Sequence, residues 1–488
     1  MDQMIKLSSV KNYIDGKFEI NGQNLMDVIS PLDGSVISTL PLSTANDVDS
    51  AVKAAKKAFP EWSAMTFKER VQIFFKYRSL LEKNIEELTE LVHLENGKTH
   101  SEARAEVEKS MELCEFAVSI PQIIVNEVQE VSKGVECRIE KKPLGVVASI
   151  SPFNFPNMVP HWTVPNALVL GNTMVLKPSE LVPLSTVRMA ELLKEAGLPD
   201  GVFNIVNGGK DVVEAICDHQ DIEAVSFVGS TKVAKIVYKR ATSNLKRCVA
   251  LGGAKNHLLV LPDANPEMTA SNVVASMSGC AGQRCMAASV MVGVDKVQHI
   301  IDRMVEEAKK IVPGENLGSV ISAEAKSRIE GYIDEAERNG AKILLDGRNT
   351  AVKGKEGGYY VGPTIIDYVT TDMSVAREEI FGPVISIIRA KDLDEAIEIE
   401  NGSNYGNAAA VFTQSGGLAR QVMERASAGM IGVNIGVPVP REPFSFGGWN
   451  ESKFGVGDIT GRSSIEFWTQ NKKTTIKWNP EAKTNWMS

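Results

Sequence analysis

The sequence predicts an α/β protein: a doubly wound parallel sheet, a second mixed α/β region and a small β flap. Three observations carry this. Between residues 144 and 261, four short apolar runs alternate with helical segments such as 184–196. From about Gly252 to Gly447 the pattern is again mixed α/β, with its own glycine-rich turns. Two strictly alternating segments, 135–140 and 474–478, stand apart from both. Alternating β and α units imply a parallel sheet with helices on its faces.

The elements follow in order. The first 120 residues read as helix-rich: Val48, Val52, Ala55 and Phe59 recur at helical spacing, with Asn46 and Asp47 as cap candidates. Residues 67–94 form one long amphipathic stretch that stops at Asn96-Gly97, a sequence suited to a left-handed helix end. In 135–140 (Val-Glu-Cys-Arg-Ile-Glu), and again with Thr474, Ile476 and Trp478, every second residue changes character, the mark of a strand with one wet face. Lone strands have edges to satisfy. These two pair into a flap that continues into a partner subunit, or each closes an edge within its own domain.

Composition bounds the function. The chain has 488 residues, 43 % hydrophobic and 23 % charged, enough for two or three domains. With 53 Lys plus Arg against 61 Asp plus Glu, the formal charge is −8, and no basic cluster suggests a nucleic-acid footprint. No apolar run is long enough to span a membrane, and the first residues lack the apolar core of a secretory signal. Six cysteines are too sparse for a disulfide framework, and six histidines lie scattered without metal-ligand spacing. Cys114, Cys217 and Cys248 read as small core residues. The expectation is a cytoplasmic enzyme without a structural metal, acting on a small molecule.

Ligands of doubly wound sheets sit beyond the carboxyl ends of the strands, so the residues there are the candidates. After the run ending at Ile150 comes Ser151-Pro152-Phe153-Asn154-Phe155-Pro156, a stiff loop presenting one amide. Asn154 can donate to a developing oxyanion, or close its own turn. After Leu176 comes Lys177-Pro178-Ser179-Glu180, in which Lys177 and Glu180 can grip ribose hydroxyls or form a solvated turn. After Val228, Gly229-Ser230-Thr231 opens a helix whose free N–H groups suit a phosphate, although it is not the G-x-G-x-x-G pattern. Gly279-Cys280-Ala281-Gly282-Gln283-Arg284-Cys285-Met286-Ala287 surrounds two thiols with small residues, and Arg284 beside Cys285 is a cation that lowers a thiol pKa. Glu378-Glu379-Ile380-Phe381-Gly382-Pro383 places a carboxylate and an aromatic at a tight turn.

Taken together and in order, these segments resemble the aldehyde dehydrogenase superfamily over nearly the whole chain. The resemblance implies an aldehyde dehydrogenase-like fold. A Rossmann-type NAD domain would span 1–120 and 144–251, a catalytic domain 252–464, and an oligomerisation flap 121–143 and 465–488, in a homodimer or homotetramer. It implies Cys285 as nucleophile, and Asn154 with the Cys285 N–H as the oxyanion donors. Lys177 and Glu180 would hold the adenosine ribose, Gly229 and Ser230 the pyrophosphate, and Trp162 would line the adenosine side. Glu379 would bind the nicotinamide ribose, with Phe153 and Phe381 near the ring. A carboxylate at the adenosine ribose favours NAD over a 2′-phosphorylated cofactor.

One departure sets the expected chemistry. Hydrolytic members carry Glu-Leu-Gly-Gly, whose Glu activates water; here the segment reads Ala250-Leu251-Gly252-Gly253. A thiol acceptor with a pKa of about 8.5 needs less help than water. Ala254-Lys255-Asn256-His257, Gly282-Gln283-Arg284-Cys285-Met286-Ala287 and Val437-Pro438-Val439-Pro440 resemble the methylmalonate-semialdehyde dehydrogenase branch. That branch makes acetyl- or propionyl-CoA from malonate or methylmalonate semialdehyde with decarboxylation, using coenzyme A as co-substrate. It grips the substrate carboxylate with an Arg matching Arg284 and a second Arg, replaced here by Lys109. Arg104 or Arg441 can supply the missing guanidinium. The rival readings are hydrolytic oxidation of another anionic aldehyde, such as sulfolactaldehyde or succinate semialdehyde, and a non-catalytic relative.

Overall fold

The computed structural model describes residues 8–20 and 24–478. Its first sheet has eight strands, and the five in its middle run parallel. Across it lie Lys17–Glu19, Asn12–Ile14, Phe203–Ile205, Thr173–Lys177, Val146–Ile150, Ile222–Val228, Arg247–Leu251 and Lys453–Phe454. Four of the five parallel strands are the apolar runs of the sequence, and the central three are buried along almost their whole length. Chain order runs one way from Val146–Ile150 through Thr173–Lys177 to Phe203–Ile205, then resumes on the other side with Ile222–Val228. The crevice between Val146–Ile150 and Ile222–Val228 is therefore a topological switch point.

A second sheet of seven strands is parallel except at one edge, where Lys342–Leu345 runs against Thr364–Asp367. Its centre is Asn256–Val260 between Ala288–Val294 and Ala408–Phe412, all three buried but for one residue. Lys453–Phe454, late in the chain, returns to pair with Arg247–Leu251 and ends the first sheet.

The two amphipathic segments pair with each other. Thr469–Lys477 runs antiparallel to Val135–Pro143 along its length, with Thr474 opposite Arg138 and Ile476 opposite Glu136. Glu127–Ser132 adds a third, fully exposed strand. Arg247 ties this flap to the first sheet by donating to the carbonyls of Glu466, Phe467 and Thr469. Trp478 is 81 % exposed, and residues 479–488 lie outside the described residues.

Two helix expectations need correction. The helix Ala45–Ala64 is capped by Thr44, not by Asn46 or Asp47; Asp47 closes the capping box three residues on. The stretch 67–94 is two helices, Phe67–Lys83 and Ile85–Asn96, broken at Asn84, whose side chain bonds back to the Leu80 carbonyl. The second ends at Gly97 with φ +85°, as the Asn-Gly pair predicts. Cys114, Cys217 and Cys248 are buried in apolar clusters. Among the described residues, no helix is long and apolar enough to cross a membrane.

Candidate active site

One cavity of about 1420 Å³ crosses the switch point and runs on to the face of the second sheet. The site residues that the sequence singles out border it, Lys177, Glu180, Lys109 and Arg441 among them, with the exception of Arg104. Strand ends explain the first group. Lys177 is the last residue of its strand, buried, with its Nζ 2.6 Å from Glu180, which is 35 % exposed. Ser230 is the N-cap of the helix Thr231–Ser243 and makes no side-chain cap bond. A Cβ at Gly229 would stand 2.6 Å from the Phe227 ring, so the turn admits only glycine and leaves a backbone cradle. Acceptors for ribose hydroxyls, a helix start and a glycine cradle fit a dinucleotide.

The middle of the cavity is aromatic and acidic. Phe153 and Phe381 meet edge to face, with centroids 5.8 Å apart. Glu379 accepts the N–H of Ala254 at 2.9 Å, and its carboxylate fills the space where Gly253 would carry a Cβ. Burial pushes the Glu379 carboxyl up to about 7, against the opposing pull of that N–H, Lys255 and Arg328. Ala250 is fully buried in an apolar cluster and places no polar atom at the cavity.

Cys285 follows a strained turn. Cys280 and Ala281 have φ +51° and +53°, and Gly282, at φ +72°, packs so tightly on Gly382 that a Cβ would come within 1.9 Å of its carbonyl. Two asparagines fix the Cys285 backbone: Asn256, at the start of its strand, and Asn407, just ahead of the strand Ala408–Phe412, donate to the Cys285 carbonyl at 2.8 and 2.9 Å. The N–H groups of Cys285 and Met286 face the sulfur and favour a thiolate. Asn154 donates to the carbonyl of Gln283 at 2.9 Å, so its loop is locked to the nucleophile's own segment.

The thiol differs from expectation. Burial first and Glu379 second push Cys285 up to about 12, and Arg284 only partly opposes them. The reason is that the Arg284 guanidinium turns away: its Nε donates to Cys280 Sγ at 3.3 Å and an Nη lies 3.6 Å from Glu102.

The cations are unequal too. Lys109 is held by Glu442 at 2.7 Å and Glu112 at 2.9 Å. Arg104 is paired with Glu86 and Glu108 on the surface and does not border the cavity, which removes it as a source of guanidinium. Arg441 borders the cavity with no carboxylate bonded to it among the described residues. Trp162 borders the cavity with its ring tilted against Phe446, centroids 4.8 Å apart, in the cluster that holds Met286 and against which Cys285 packs.

Sequence reasoning missed the supports. Asn256 registers only as part of a branch motif, and Asn407 and the buried Lys98–Glu106 pair carry no local signal.

Known proteins resemble the chain along nearly its whole length. Residues 19–474 match the model of the aldehyde dehydrogenase family. Malonate-semialdehyde dehydrogenase 2 of Bacillus thuringiensis (strain Al Hakam) is 47 % identical over 479 residues, 96 % of this chain and 98 % of that protein. Malonate-semialdehyde dehydrogenase 1 of Geobacillus thermodenitrificans is 45 % identical over 97 % of this chain and 99 % of its own length. The crystal structure of methylmalonate-semialdehyde dehydrogenase from Oceanimonas doudoroffii superposes with a TM-score of 0.95 at 38 % identity, covering 97 % of this chain and 99 % of that one. The chain belongs to the aldehyde dehydrogenase family.

Proposed function

We propose that this chain oxidises a small anionic semialdehyde with NAD through a thioacyl-enzyme on Cys285 and transfers the acyl group to coenzyme A. The substrate class is malonate or methylmalonate semialdehyde, decarboxylated to acetyl- or propionyl-CoA, in keeping with the names of the relatives. The observation that carries the acyl acceptor is Ala250, an apolar residue where a hydrolytic enzyme would need its base. Water without a base is a poor nucleophile, whereas a thiol supplies its own thiolate.

The Cys285 thiolate attacks the aldehyde carbon. Asn154 retains one amide hydrogen beyond its bond to Gln283, and with the Cys285 N–H it would hold the oxyanion. NAD, when bound, accepts the hydride from that adduct. Lys177 and Glu180 would hold the adenosine ribose, Gly229 and Ser230 the pyrophosphate, and Glu379 the nicotinamide ribose beside Phe153 and Phe381. Arg441, with no carboxylate bonded to it among the described residues, and Arg284 receive the substrate anion; Lys109 serves chiefly to fix the loop that carries Glu442. The flap strands join copies of the chain into a dimer or tetramer.

Intact-mass measurement tests the reading. Mixing the enzyme with malonate semialdehyde and NAD, without coenzyme A, should leave one acyl group on Cys285, malonyl or its decarboxylated acetyl form, released on adding coenzyme A. Absence of an adduct during NADH formation would defeat it.

A further inference from the structure

Lys255, 3 % exposed, has a buried Nζ with no hydrogen-bond partner and no carboxylate within 4.0 Å among the described residues. A buried ammonium left alone is costly, so its place in the site needs a cause. It lies on the stretch that joins the two halves of the centre. Ala254 before it donates to Glu379, and Asn256 after it donates to the Cys285 carbonyl. Lys255 faces the carboxylates of Glu379 and Glu378, with His257 beside it. Glu379 in turn faces Lys255 and Arg328, and its charge reaches Cys285, Tyr332 and Tyr405. Lys255 is buried and Glu379 half-buried at the cavity wall, so attraction between them is screened less than between surface charges.

We propose that Lys255 is a positioning residue for the nicotinamide ribose: its ammonium is the buried counter-charge that holds Glu379 as a carboxylate acceptor at the cavity wall. The inference rests on the reading of Glu379 as the ribose-binding group. Burial drives the two partners toward each other's range, Glu379 up to about 7 and Lys255 down to about 7. Each favours the charged form of the other. Without Lys255, Glu379 titrates higher, is protonated at neutral pH and loses acceptor sites for the ribose hydroxyls.

The experiment is calorimetric titration of the full-length enzyme with NAD alone, across about pH 6 to about pH 9, a span that brackets the pair. Wild-type affinity should rise as pH climbs through about 7. Lys255→Met should move that midpoint up by about one unit, weakening NAD about fivefold at about pH 7 and about tenfold well below it. Lys255→Gln, which keeps a polar side chain and removes the charge, should give the same shift. In a Glu379→Gln background neither change should cost further affinity. An unmoved midpoint, or an equal loss in the Glu379→Gln background, would overturn the proposal and leave Lys255 a packing residue. If Glu379→Gln alone left NAD affinity and its pH dependence intact, the ribose reading of Glu379 would fall first.

Discussion

The ammonium of Lys98, 1 % exposed, donates to the backbone carbonyl of Asn154 at 2.8 Å. The same Nζ lies 2.5 Å from Glu106, whose other oxygen accepts the N–H groups of Asn157 and Met158 at 2.8 and 3.0 Å. One buried ion pair thus holds the middle and the far end of the loop that presents Asn154, the proposed oxyanion donor. Lys98→Met leaves a buried carboxylate and a carbonyl without their cation, and should destabilise the protein by about 3–5 kcal/mol. Turnover per folded molecule should fall while NAD affinity holds. Thermal unfolding and steady-state kinetics on the folded fraction check both. Unchanged turnover would separate the clamp from Asn154.

Cys285 should react slowly in the cofactor-free enzyme. A thiol pushed up to about 12 holds little thiolate near neutrality, so alkylation by iodoacetamide should accelerate about tenfold per pH unit through the alkaline range. Glu379→Gln removes the carboxylate that opposes the thiolate and should speed the reaction at fixed pH. A pH-independent rate would show that another group already ionises Cys285.

Lys109, Arg284 and Arg441, three of the cations that line the cavity, should separate kinetically. Arg441→Ala and Arg284→Leu should raise KM for an anionic aldehyde about tenfold or more and spare a neutral one. Lys109→Met, removing a cation already shared by Glu442 and Glu112, should act mainly through loop stability. Equal losses on neutral and anionic aldehydes for Arg284→Leu would tie that residue to the nucleophile's turn instead.

His161 should make the fold acid-sensitive. It is fully buried, with Nδ1 2.6 Å from the Asn157 carbonyl and Nε2 2.8 Å from the Tyr77 hydroxyl, so its neutral form satisfies both partners. Burial pushes it down to about 4, below its unfolded value of 6.5. The stability this provides is complete above about 6.5 and is lost as pH falls through about 4, amounting to about 3 kcal/mol. Denaturant unfolding of His161→Gln should show a shallower acid loss than wild type. His257, also pushed down to about 4, supplies a second, independent step.

Local patterns made much of this centre legible. The apolar runs ending at Ile150, Leu176 and Val228 marked the strands, and the rule that ligands sit past strand ends led directly to Asn154, Lys177 and Ser230. Alternation alone found the two flap strands. Interactions between distant segments were another matter. Lys109 meets Glu442 across 333 positions, and Lys98 meets Asn154 across 56, so no window of sequence contains either pair. Trp162 sits on the helix Met158–Val169, buried on all sides after its first residue, and such a helix has no polar face to reveal its orientation. The break at Asn84 escaped because a single residue between two amphipathic helices leaves the apolar period nearly intact.

The identity of the acyl acceptor is the central claim, and NADH formation from malonate semialdehyde with and without coenzyme A tests it most directly. The account predicts a burst stoichiometric with enzyme that stalls without coenzyme A and turns over steadily when it is added. Sustained turnover in water alone would contradict it, and would direct attention to Glu379, the half-buried carboxyl held near neutrality beside Cys285, as the base that Ala250 does not provide.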